Sequence, residues 1–331
     1  MRSPSRRWHW AYLLWLLVPL LLWWALRNIR LAEIWTVLQR LSWAQGAALV
    51  LLNVFALFSF TAGWWLILRT LGYPVPYLTL VRYRVAAFGV SYFTLGPQFG
   101  GEPLQVLFLH QRHGVPGPVA TAATALDKIL ELLVNFIFLM LGLLLIAHWQ
   151  IFPGWPPALV WPLSGLLLTL PGLMLLGAWA GWRPFTWLVE RWPTRGPTYQ
   201  RAHQAVQESE AQALAFCRTQ PVSVLGVVLA ALVSWGFILL DYWLSLAFLG
   251  LPLTWPQLIT ALTINRLAFL APWPGGLGAL ESGQVLAMTT LGLDPTLGVA
   301  QALLIRARDV SVGLLGLWWA SRAALTASAH T

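Results

Sequence analysis

Long apolar runs separated by short polar or Gly/Pro-rich joints set the pattern of this chain. A membrane-spanning helix takes about 20 mostly apolar residues. Six segments fit that description: 10–26, 46–68, 121–148, 158–180, 222–249 and 297–320. Residues 31–41 form a shorter run with apolar positions at helical spacing, and Arg30, Glu33 and Arg40 lie beside them. That pattern predicts an interfacial amphipathic helix. The first run follows Arg2, Arg6 and Arg7 without a small-residue cleavage site after it. It is expected to be a retained helix rather than a signal peptide.

Two other apolar segments, 85–109 and 258–291, are interrupted by "LGPQFGGEP" and "APWPGGLGALE". A backbone broken at membrane depth frees N–H and C=O groups that lipid cannot satisfy. Such breaks are tolerated inside protein or along a polar cavity. Both segments are expected to be re-entrant hairpins or broken helices. The long polar stretch 183–221 carries Arg183, Arg191, Arg195, Arg201 and Arg218. The positive-inside tendency places it in the cytoplasm, with a surface helix over 202–216 and a cytoplasmic N-terminus. Arg27, Arg30 and Arg40 run against that orientation.

The two halves resemble each other. "WWLILRTLGYPVP" from Trp64 aligns with "YWLSLAFLGLPLT" from Tyr242 at an offset of 178 residues, placing Gly72 on Gly250 and Pro74 on Pro252. Gly100 falls on Gly278 at the same offset, and Glu102 and Asp127 approach Glu281 and Asp309. Each half reads as span, broken segment, span. The expected architecture is an all-α integral membrane protein forming a single domain over 1–331. It has about six full transmembrane helices and two broken or re-entrant segments in an inverted repeat, with repeat one about 46–148 and repeat two about 222–320.

Composition narrows the function. Charged residues are 9% and hydrophobic residues 58% of the chain, too little polarity to cover a soluble fold. The net charge of +9 comes from 19 arginines and one lysine, mostly near the ends of apolar runs. That distribution fits membrane orientation and anionic headgroups, and no motif for nucleic acid accompanies it. Cys217 is the sole cysteine, so no disulfide framework is available within one chain. The sequence carries no P-loop, HExxH, CxxC or GxSxG pattern, and its histidines lack metal spacing. An enzyme, a cofactor and a metal are therefore not expected. The 22 tryptophans are read as bilayer-interface residues, without a ligand role.

Ionisable side chains cluster in and beside the broken segments. A charge at the centre of a bilayer costs about 2.5–3.5 kcal/mol on insertion scales, so it persists when paired or when lining a site. Lys128 with Glu131, and Arg306 with Asp309, have the spacing of neutralising pairs on one helix face. The glycines of "GGEP" (Gly100, Gly101) and "PGGLGALE" (Gly275, Gly276, Gly278) precede expected helix starts. Free N–H groups there would suit a phosphate or carboxylate. Arg82, Arg84 and Arg266 could add charge-assisted bonds to the same anion. Glu102 and Glu281 either cap those helices or take up a proton when the anion arrives.

The stretches "LGPQFGGEPLQVLFLHQRHG", "ATALDKILELL" and "APWPGGLGALES" resemble the lysylphosphatidylglycerol synthase transmembrane-region family, which includes the flippase part of the multiple peptide resistance factor. The resemblance covers nearly the whole chain. It implies a multi-pass protein of a bacterial or archaeal inner membrane. The implied function is a flippase or lipid-linked transporter for an anionic phospholipid or polyprenyl-phosphate-type lipid. The alternative is a subunit or transferase in lipid or envelope-glycolipid modification, working with a partner enzyme. The residues it singles out are Gly100, Gly101, Glu102 and Asp127 in the first copy, and Glu281, Arg308 and Asp309 in the second. Gln105 and Leu126 stand where many members carry an arginine.

Overall fold

The computed structural model describes residues 41–94, 100–151, 180–191, 196–270 and 276–328, with isolated positions between 36 and 39 and between 162 and 177. The expected span at 10–26 lies outside the described residues, as do most of 31–41 and of 158–180. The protein is all-helical throughout the described residues.

Helix α1 (Trp43–Thr70) starts at a capping box. Ser42 Oγ accepts from the Gln45 N–H at 3.3 Å, and Gln45 Oε1 accepts from the Ser42 N–H at 2.9 Å. Helix α2 (Tyr77–Phe93) stops at the first break, and α3 (Glu102–His113) resumes after it. Helix α4 (Gly117–His148) completes the first half. The polar stretch holds α5 (Pro184–Glu190) and α6 (Pro197–Thr219). Helix α6 begins before the expected surface helix, with proline in its first turn, where the missing N–H costs nothing. It is also less exposed than expected: Phe216 and Cys217 are buried in the core shared with α1 and α4.

The second half contains α7 (Pro221–Phe248), α8 (Trp255–Phe269), α9 (Ala279–Thr290) and α10 (Pro295–Ser328). Helices α1, α4 and α7 are long and apolar enough to cross a membrane.

The ends of the elements recur. Helices α1, α2 and α4 begin 178 residues before α7, α8 and α10. Helix α1 ends at Gly72 (φ +88°), where the Tyr73 N–H bonds to the Leu68 carbonyl at 2.9 Å. Helix α7 ends at Gly250 (φ +95°), where the Leu251 N–H bonds to the Leu246 carbonyl at 2.9 Å. Both are left-handed caps that favour glycine. Gly114 and Gly292 close α3 and α9 in the same way, with φ of +63° and +67°.

Packing crosses between the halves. The first helices, α1 and α7, run against each other, α2 lies along α10, and α8 lies against α4. Within each half the broken segment folds onto itself, α2 on α3 and α8 on α9. Glycine makes these approaches possible, since apolar helices in lipid are held by close van der Waals contact. A Cβ on Gly89 of α2 would lie 2.5 Å from the Gly313 carbonyl oxygen of α10. Gly316 meets the Val85 carbonyl, Gly101 meets the Ala87 backbone, and Gly142 of α4 meets Thr263 of α8, all too closely for a side chain.

Candidate functional site

The crossed packing leaves a cavity of about 720 Å³ between the halves. Its walls come from α1, α2, α3, α4, α7, α8 and α10. They are largely apolar, yet among the described residues nine carboxylate, lysine and arginine side chains reach it: Arg84, Glu102, Asp127, Lys128, Glu131, Asp241, Arg266, Arg308 and Asp309. Five acids against four bases leave the formal charge nearly balanced, so local pairing decides what the cavity attracts.

One network belongs to the first half. Arg84 of α2 binds Asp127 of α4 and reaches Glu131 at 3.5 Å. Lys128 lies 3.5 Å from Glu131 and 3.8 Å from Glu102. Glu102, at the start of α3, also accepts the Gly100 N–H at 2.8 Å. An unbroken chain of opposite charges therefore runs from α4 to the first break. Pairing of this kind is how buried charge is tolerated.

A second network joins the halves. Asn53 of α1 donates to Asp241 of α7 at 2.8 Å. Arg308 of α10 donates to the Asn53 side-chain amide oxygen Oδ1 at 2.9 Å, lies 3.3 Å from Asp241, and binds Asp309 through Nε at 2.8 Å.

Arg266 stands apart. Its guanidinium carbon lies 4.9 Å from the ring centroid of Trp235. It makes no ion pair with any described residue, and its Nε is enclosed without a hydrogen-bond partner. A cation over an aromatic face gains about 0.5–2 kcal/mol, less than a buried guanidinium loses with its water. Other buried atoms on the cavity wall also lack partners: Asn135 Nδ2, Asn265 Oδ1, Thr124 Oγ1 and Arg84 Nε. A ligand oxygen could engage Asn135 Nδ2, Thr124 Oγ1 and Arg84 Nε, whereas Asn265 Oδ1 calls for a donor, and each polar group left unmet costs about 1–3 kcal/mol.

The structure gathers Arg84, Gly101, Glu102, Asp127, Arg266, Arg308 and Asp309 around one cavity. Among the described residues, the other sequence candidates lie off its wall. Arg82 is exposed on the outer face of α2, one residue along from buried Val81 and Tyr83. Gly100 sits at the break with φ +119°, its N–H held by Glu102. Gly276 and Gly278 have φ of +60° and +79° and are not among the lining residues, while Gly275 lies outside the described residues.

Glu281 also lies off the cavity wall. It accepts the Gly278 N–H at 3.0 Å and pairs with Arg306. The expected Arg306–Asp309 pairing is therefore replaced by two others, Arg306 with Glu281 and Arg308 with Asp309. The expected Lys128–Glu131 pair is present.

Sequence reasoning missed Asn53, Asn135 and Trp235. The two asparagines were detectable as lone amides inside apolar runs, where polar side chains join helices. Trp235 carried no such signal, since its type is also what bilayer interfaces favour.

An all-helical membrane protein with an interior charged cavity is the class that these features define. The lysylphosphatidylglycerol synthase TM region family matches residues 12–316, and the chain belongs to that family. No curated protein and no solved structure matches it. Among the described residues, no group of three His, Cys, Asp or Glu is placed to hold a metal ion.

Proposed function

We infer that the chain is a membrane transporter and not an enzyme. It moves a lipid with a phosphate-bearing headgroup, an anionic phospholipid or a polyprenyl-phosphate-type lipid, between leaflets of a cell membrane. The observation that carries this reading is Arg266. It is the cavity cation without an ion-pair partner among the described residues, held over Trp235 beside orphaned amide and hydroxyl groups. A phosphate oxygen would supply the missing partner through charge-assisted bonds. The family supports association with membrane lipid modification or flipping.

The recurring helix boundaries and caps fit two copies of one unit, and the crossed packing fits an inverted arrangement with the ligand between the copies. In this reading the N-terminus and the 183–221 stretch face the cytoplasm, and a lipid-modifying enzyme is the natural source of the cargo. The test is transbilayer movement of labelled lipids in vesicles containing the purified protein, using a panel of headgroups. Faster movement of phosphate-headed lipids is expected. Movement equal to that of empty vesicles for every headgroup rejects the reading.

A further inference from the structure

The cavity is not closed equally on all sides. Among the described residues, four that line it are exposed on the outside of the molecule: Val50 and Val54 of α1, and Ala307 and Ser311 of α10. The lining residues contributed by α2, α3, α4, α7 and α8 are buried or half-buried. The opening therefore lies between α1 and α10.

Helix packing gives the same answer. Helix α4 lies against both α1 and α7, whereas α10 has only a slight contact with α7 and does not pack along α1. The corresponding helices of the two halves thus differ: α4 is closed onto the central α1–α7 pair and α10 stands off from it. Across the cleft, Arg308 reaches Asn53 at 2.9 Å, and both residues line the cavity. The walls of the cleft are Val50 and Val54 on one side and Leu304, Ala307 and Ser311 on the other, with the Ser311 hydroxyl spent on the Ala307 backbone carbonyl at 2.7 Å.

A charged chamber that continues into an apolar slot suits one kind of occupant, a molecule with an ionic head and a hydrocarbon tail. Pulling that tail out of lipid would gain nothing, because hydrocarbon is the solvent on both sides. A slot lets the tail stay in the bilayer while the head enters the polar interior. Water-soluble anions have no use for such a slot.

We propose that the α1–α10 cleft is a lateral portal that holds the apolar tail of the same phosphate-headed lipid, with the Asn53–Arg308 hydrogen bond as the latch across it. This rests on the transporter reading for its cargo and adds the route. Lipid arrives sideways from one leaflet, its headgroup meets Arg266, and the latch parts as the lipid passes.

Photo-crosslinking tests this without requiring transport. A benzophenone side chain is placed at Val54 or Leu304 in the cleft, and at Leu141, which is exposed on α4 away from it. The full-length variants are illuminated in vesicles of mixed phosphatidylethanolamine and phosphatidylglycerol, with undecaprenyl phosphate as a minor component. Adducts are identified by mass. Adducts at the cleft positions should be enriched about tenfold in one phosphate-headed lipid over those at Leu141, the factor that one charged hydrogen bond supplies. That enrichment should collapse on Arg266→Ala.

The same lipid composition at all three positions overturns the portal, even if lipid movement is normal. Crosslinks from the cleft to residues 10–26 of this chain also overturn it, because the chain itself would then fill the slot. Enriched adducts without lipid movement would keep the cleft as a lipid site and reject the transporter reading alone.

Discussion

Arg306 Nε donates to Glu281 Oε1 at 2.8 Å, while the other carboxylate oxygen of Glu281 takes the Gly278 N–H at 3.0 Å. One side chain thus caps α9, ties it to α10 and settles the turn after the second break. Tyr92 of α2 lies within 3.5 Å of the same arginine, so the pair also reaches the other half. A carboxylate engaged on both oxygens outside the cavity is a joint in the scaffold. The proton-carrier role that the sequence allowed for Glu281 finds no support in this placement.

Arg306→Ala should therefore behave as a folding defect. Removing one partner of a buried ion pair leaves the other charge uncompensated, at a cost of about 3–5 kcal/mol. Thermal unfolding in detergent is expected to shift sharply downward. The milder Glu281→Gln should keep most of the fold, and any lipid movement should respond to a pH gradient as the parent does. Loss of gradient dependence in a stable Glu281→Gln protein would restore the carrier role.

Arg266 should separate function from folding in the opposite sense. It has no ion-pair partner to strand among the described residues, so Arg266→Ala should melt near the parent temperature while lipid movement falls about 10-fold to 100-fold, the worth of a charged hydrogen bond. Arg266→Lys should recover part of the rate, because the charge returns without the planar fork. A folded Arg266→Ala protein with full transport would remove Arg266 from the site.

The α2–α10 contact gives a packing test. Gly89→Ala places a methyl 2.5 Å from the Gly313 carbonyl oxygen, and overpacking of this kind costs about 1–3 kcal/mol. Gly236→Ala on α7 meets nothing within 4 Å and lies on an exposed face. It should be neutral or stabilising by up to about 1 kcal/mol, by restricting the unfolded chain. Comparable melting temperatures for the two variants would argue against the close approach.

The helix caps test the relation between the halves. Gly114 and Gly292 are 178 residues apart, have φ of +63° and +67°, and have open space around the Cβ position. With no clash at either site, Gly114→Ala and Gly292→Ala should each cost about 1–2 kcal/mol of backbone strain, by similar amounts. Detergent melts of the two variants should fall together. A loss at one position with none at the other would show that the two turns are not equivalent.

Sequence alone determined the membrane class, the positions of the breaks and the family. Each depends on something local. Twenty apolar residues have only lipid or a core to occupy, and Pro and Gly end a helix wherever they fall. The 178-residue offset was legible for the same reason, since Gly72 and Gly250 mark turns whose backbone favours glycine. Pairing was not legible. Arg306 and Asp309 share a helix face in the sequence, yet Arg306 bonds Glu281, and Asp309 bonds its neighbour Arg308. Nothing local could show that Asn53 meets Asp241 and Arg308, because those contacts span 188 and 255 residues. The tertiary structure decided which charge stayed unpaired, and for a physical reason. Coulomb attraction and desolvation depend on distance and enclosure in space, and these were set by glycine-lined helix crossings far along the chain from the charges themselves.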